Sequence, residues 1–220
     1  MKKNLILKSL LVSAMAAAGL ATSAFAGGNE PNGPAPAPGA ALSSGTPGLL
    51  GQTYAGLSYS YVHLDAAPVN AASYGFEYNL PLNAGFDAVF NYDWTQSGPF
   101  AGDRAHEQKL AAALRAFTAQ GWGTPYLEAG VGYDRMRFAG VKDDSFVWIA
   151  GAGVEFQTGT ALTVTPFVRY EQANGYTDNH EFTYGVRANY WLSRQVALTA
   201  AVSRNDSQDM AYRFGVNVRF

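Results

Sequence analysis

The sequence predicts an all-β fold: a transmembrane up-and-down antiparallel β-barrel of about ten strands, with eight the alternative, its apolar face turned outward to lipid. Three observations predict it. From Gln52 onward, apolar side chains recur at every second position through ten successive runs, which is the period of a strand. Glycines sit on the polar parity of those runs (Gly56, Gly75, Gly130, Gly132, Gly151, Gly153, Gly185 and Gly215). A water-facing sheet surface gains nothing from glycine, whereas a crowded interior needs the room. Aromatic residues gather near strand ends on the apolar parity: Tyr59, Tyr61, Tyr92, Trp94, Phe146 and Trp148 toward one rim, Phe86, Phe156, Tyr190 and Phe220 toward the other. Two such bands fit the girdles that sit at the two lipid–water interfaces. A soluble barrel would instead turn its apolar side chains inward.

Composition removes several classes of function. The 220 residues include no Cys and only three His, so no disulfide framework, thiolate metal site or thiol nucleophile is expected, and no metal or cofactor. Charged residues make up 15% of the chain, against about 25% in soluble domains. Lys and Arg number 15 against 17 Asp and Glu, and Lys2, Lys3 and Lys8 all lie in the first eight positions. The remainder is acidic, which excludes the basic face of a nucleic-acid binder.

Taken in order, residues 1–26 read as a cleaved secretory signal peptide: Lys2 and Lys3, an apolar run, then the small-x-small ending Ala24-Phe25-Ala26. Lys8, Ser9 and Gly19 interrupt the run, which is too short and broken for a spanning helix. Residues 27–51 carry Pro31, Pro34, Pro36, Pro38 and Pro47 among Gly, Ala, Ser and Asn, the composition of a disordered periplasmic tether. The barrel is residues 52–220. Its expected strands are 52–62, 72–80, 85–95, 106–118, 125–138, 145–157, 161–171, 181–192, 195–203 and 210–220. The third shows the alternation best, with Phe86, Ala88, Phe90, Tyr92 and Trp94 set between Asp87, Val89, Asn91 and Asp93. The fourth, Ala-rich at its centre, could be taken for a helix, but its neighbours and even spacing decide for a strand. Short turns at 81–84, 120–124, 159–160 and 193–194 alternate with longer ones at 63–71, 96–105, 139–144, 172–180 and 204–209.

Residues 52–220 resemble the small outer-membrane barrels of the opacity-protein and OmpA/OmpX type. The chain closes with an aromatic residue preceded by apolar residues at every second position: Tyr212, Phe214, Val216, Val218 and Phe220. In that group this segment resembles the signal read by the barrel-assembly machinery, so the resemblance implies passage past periplasmic chaperones to the outer membrane of a Gram-negative-type envelope. A monomer is expected. The group usually has eight strands; the ten counted here depart from it.

The inward parity carries charges of both signs. Glu77, Asp87, Arg115, Glu128, Glu155, Arg187 and Arg219 lie toward the short turns; Asp93, Glu107, Lys109, Asp134, Arg169, Glu171, Glu181 and Arg213 lie toward the longer loops. They can form a paired plug, since buried charge is tolerable only when partnered, or line a narrow porin-like channel. Small barrels are generally filled by side chains. Arg135 and Arg137 continue the lipid-facing parity above Tyr133, where they could snorkel or bridge to lipopolysaccharide phosphates.

An enzyme reading rests on Asp178-Asn179-His180, which resembles the Asp-x-His of the ten-stranded omptin proteases, but their Asp-x-Asp partner has no match, since Asp143 and Asp144 are adjacent. No His-x-Ser of a lipid A deacylase appears, and His63, His106 and His180 lack local metal-ligand spacing. The expected function is a non-enzymatic barrel serving envelope integrity or surface interaction, with a small porin-like channel second and an omptin-like surface protease third.

Overall fold

The computed structural model describes residues 48–65, 69–99, 102–158, 161–174 and 179–220. The expected signal peptide, and the expected tether up to residue 47, lie outside the described residues.

Ten strands follow one another: β1 (Tyr54–His63), β2 (Asn70–Asn83), β3 (Phe86–Ser97), β4 (His106–Phe117), β5 (Thr124–Phe138), β6 (Val141–Thr158), β7 (Leu162–Asn174), β8 (Asn179–Trp191), β9 (Val196–Asn205) and β10 (Met210–Arg219). Each pairs antiparallel with its neighbours in sequence, and β1 pairs with β10 to close the barrel. The closing register runs from Tyr54 opposite Arg219 to His63 opposite Met210, so the ladder is continuous and leaves no edge. The Ala-rich run is β4, and the short ninth run is β9, so the count is ten and not eight. Among the described residues no helix is long and apolar enough to cross a membrane; this chain crosses with strands.

Burial is inverted relative to a soluble barrel. Leu57 and Leu127 are 67% exposed on the outside, while Asp87 and Arg115 are fully buried inside. In water that arrangement would expose apolar surface over the whole wall and bury charge. In a bilayer it satisfies the backbone of the paired strands through the ladder and presents apolar side chains to lipid. The protein is a membrane-spanning barrel of the outer-membrane type.

Two elements differ from the sequence expectation. The loop expected at 139–144 shrinks to a two-residue turn. Ala139 (φ 49°) and Gly140 (φ 77°) both adopt positive φ, the pairing a tight hairpin requires, and β6 begins at once with Val141. On its other side β6 meets β7 only from Phe146 opposite Asn174, so 141–145 stand above the β7 rim, paired with β5 alone. The second difference lies in the expected tether. Leu49 and Leu50 are buried, and residues 48–51 turn into the barrel mouth with the Gln52 N–H donating to the Leu49 carbonyl at 3.3 Å. These residues are part of the folded barrel.

Candidate functional site

The lumen is the candidate site. Its ionic wall is built on one row of register partners: Arg115 on β4 faces Glu128 on β5, Glu128 faces Gly151 on β6, and Gly151 faces Arg169 on β7. Glycine at the third place matters. A Cβ there would lie 3.1 Å from Glu128 Cγ, so its absence lets the Glu128 carboxylate extend over β6 toward β7. Arg115 donates to Glu128 Oε2 through Nε at 3.0 Å and Nη2 at 2.7 Å. Arg169 Nη1 stands 3.6 Å from the other Glu128 oxygen, and its Nη2 lies 2.6 Å from Glu171 Oε1. Lys109 completes the chain by donating to Glu171 Oε2. Five side chains of alternating sign thus run along the wall, each buried. Charge-assisted bonds of this kind offset the desolvation that isolated charges would suffer.

The opposite wall, from β8 through β10 to β1 and β2, is made mainly of short polar groups. Thr199 donates to Asn189 Oδ1 at 2.7 Å and accepts from Asn217 Nδ2 at 2.9 Å, while Asn189 donates to Thr163 at 3.3 Å. Arg213 donates through Nε to Ser60 Oγ at 3.1 Å, and Tyr54 donates to Glu77.

At the end that carries Leu49 and Phe220, aromatics on the inward parity pack among the charges. Arg115 lies over the Tyr126 ring at 5.3 Å, Arg187 over Phe167 at 5.7 Å and Arg219 over Trp191 at 5.6 Å. Gly153 makes room for Tyr126, whose ring would lie 2.7 Å from a Cβ there. Leu49 packs with Tyr54, Trp191 and Ala197, and Leu50 with Tyr126 and Phe117. Residues 48–51 form a strap pinned by carboxylates: the Leu49 N–H donates to Glu155 Oε2 at 3.2 Å and the Gly51 N–H to Asp87 Oδ2 at 3.0 Å. Asn79 Nδ2 adds a bond to the Gln52 carbonyl at 2.8 Å.

Of the residues singled out from the sequence, Glu77, Asp87, Lys109, Arg115, Glu128, Glu155, Arg169, Glu171, Arg187 and Arg213 are buried in the lumen, and Arg219 is half-buried. Tyr212, Phe214, Val216, Val218 and Phe220 lie exposed on the outer face of the closing strand, and the Phe220 N–H donates to the Thr53 carbonyl at 3.1 Å. Arg135 and Arg137 sit on the outer face of the β5–β6 hairpin. Arg135 donates to Asp144 Oδ1 at 2.9 Å, and this bond holds the Asp144 carboxyl below its usual range. Asp178 lies outside the described residues, while His180 is exposed with its ring stacked on Tyr170. Among the described residues no group of three His, Asp or Glu is placed to hold a metal ion.

Sequence reasoning did not pick out the strap or the inward Tyr54, Tyr126, Phe167 and Trp191. A signal for the aromatics was present, since Tyr126 shares its parity with Glu128 and Phe167 with Arg169. For the strap the only signal was a Leu49-Leu50 pair directly before β1.

No family model matches the chain, and no curated protein does. Solved structures with a similar fold are outer-membrane barrels. The translocator domain of the autotransporter NalP from Neisseria meningitidis aligns at 10% identity and a TM-score of 0.49, covering 77% of this chain and 88% of that one. Neisserial surface protein A aligns at 12% and 0.44, covering 76% and 96%. An outer-membrane channel from Pseudomonas putida F1 aligns at 9% and 0.44, covering 86% and 100%. At this identity no residue's role transfers from them. The closed ladder, the apolar outer wall and the charged interior are this chain's own grounds for its class: an outer-membrane β-barrel of ten strands.

Proposed function

We propose that this is a non-enzymatic, monomeric outer-membrane barrel that seals its own lumen and acts through its outer wall and loops, in envelope integrity or surface interaction. One observation carries the reading. Every strand contributes an inward residue no more than 5% exposed: Ser60, Glu77, Asn91, Arg115, Glu128, Ile149, Arg169, Arg187, Thr199 and Arg213. A water-filled pore would wet at least one side of that ring, as wide barrels do and small ones do not. Both strand ends of the chain then lie in the periplasm, with the β5–β6 hairpin and its neighbours outside. The outward apolar pattern of β10 supports the opacity-type and OmpA/OmpX-like resemblance and the role of Tyr212 to Phe220 as an assembly signal for the barrel-assembly machinery.

A porin-like reading has one observation in its favour. Toward the loop end, Asp93, Glu107, Asp134, Glu171 and Glu181 outnumber Lys109, Arg169 and Arg213, which would select cations if water entered. Liposomes carrying the refolded mature protein test the choice: no swelling in small sugars is expected, and swelling at porin-like rates overturns the sealed-lumen reading. For the absence of catalysis, His180→Ala should leave every surface phenotype unchanged; loss of a peptidase or lipid-cleaving activity in that variant would contradict it.

A further inference from the structure

The β5–β6 hairpin carries an outward grid of side chains at its tip. Arg135 on β5 faces Asp144 on β6, and one step higher Arg137 faces Lys142. On the β4 side, His106 stands opposite Arg137, its ring 6.2 Å from that of Trp94. Just below, Tyr133, Phe146 and Trp148 are exposed on the same outer face, the aromatic level at which a barrel meets the lipid–water interface.

The two rows differ in charge balance. Arg135 is occupied: it donates to Asp144, reaches the Tyr133 hydroxyl at 3.4 Å and lies 5.8 Å from that ring's centroid. Arg137 and Lys142 are like charges directly opposite each other, an arrangement that destabilises a strand pair on its own. Among the described residues neither makes an ion pair within 4 Å, although the Asp144 carboxylate attracts Arg137 from a longer distance. An anion bridging the two would turn the repulsion into a pair of charge-assisted bonds, with the Arg fork gripping two oxygens and the Lys ammonium a third.

Position selects the anion. The pair sits immediately above the aromatic band and is continuous with the lipid-facing wall, so the anionic groups at its level are headgroup phosphates. We infer that Arg137 and Lys142 form a clamp for a phosphorylated lipid headgroup of the outer leaflet, with Arg135 and Asp144 holding the hairpin face in shape beneath it. This refines the sequence expectation: the second member of the site is Lys142, and Arg135 is a positioning residue. The inference rests on the membrane placement of the barrel and not on whether its lumen conducts.

The experiment compares binding of the refolded full barrel, in detergent, to lipid A bearing its phosphates and to the same lipid after dephosphorylation. The unmutated protein should prefer the phosphorylated form by about tenfold, the effect of one or two charge-assisted bonds. R137Q/K142Q should abolish that preference while keeping the heat-modifiable gel mobility of a folded barrel. R135Q should retain most of it. Preference surviving in R137Q/K142Q overturns the clamp. So does a difference under about twofold in the unmutated protein, which needs no variant at all. Inorganic phosphate should not displace the lipid; displacement as effective as that by phosphorylated lipid would make the pair a site for free anions and overturn the lipid assignment. Failure of any of these arms leaves the sealed lumen standing, because that is read by solute and ion passage.

Discussion

The two walls of the lumen solve one problem with different chemistry. On β4, β5 and β7 the interior is held by full charges in a chain from Arg115 to Lys109, while on β8 to β10 and β1 much of it is held by hydroxyls and amides such as Thr199, Asn189 and Asn217. The ionic wall is interdependent: Glu128 serves two arginines at once, so its loss removes the carboxylate to which Arg115 donates and one of the two beside Arg169. The polar wall is divisible, because each neutral bond there is worth little and each group has small neighbours. Strength and vulnerability therefore lie on the same side of the barrel.

The sharpest way to break the comparison is Glu128→Ala. Removing one partner of a buried ion pair should cost about 3–5 kcal/mol, less if water follows. Thr199→Ala, on the polar wall, should cost about 1–2 kcal/mol for its two bonds. Urea unfolding of the refolded barrels measures both, and equal losses would erase the distinction. The next effect is smaller than that of Glu128→Ala. Gly151→Ala places a methyl against Glu128 Cγ and should cost about 1–3 kcal/mol by overpacking. Combined with Glu128→Ala the penalty of Gly151→Ala should largely vanish; full additivity would show that the glycine serves something other than the carboxylate's path.

How much of this was legible follows from the range of the interactions. Ten strands could be read because a period of two is written locally in each run, and inward charge could be read because parity carries it. Partner choice could not. Lys109 and Glu171 are 62 residues apart, and only the closed register brings them together. The polar Lys142, Asp143 and Asp144 predict a loop at the hairpin tip, although Lys142, Asp144 and Phe146 keep the outward alternation of a strand. The strap is continuous with a Pro- and Gly-rich stretch, and beyond its Leu49-Leu50 pair what distinguishes it is the set of buried carboxylates, Asp87 and Glu155, supplied from elsewhere in the chain.

The smallest stability effect is expected outside the lumen. Phe220 is 72% exposed, so Phe220→Ser should refold in detergent with nearly unchanged urea stability, while cells should carry less barrel in the outer membrane. Normal cellular assembly together with failed refolding would make Phe220 a structural keystone and remove its role as a recognition signal.

The sealed lumen is tested most directly by planar-bilayer conductance of the refolded mature protein in high salt. Insertion without discrete steps is the predicted result, and deleting residues 48–51 should leave the lumen closed at its ionic midsection even after the mouth is opened. Large, stable, ion-selective steps from the unmutated protein would contradict the account.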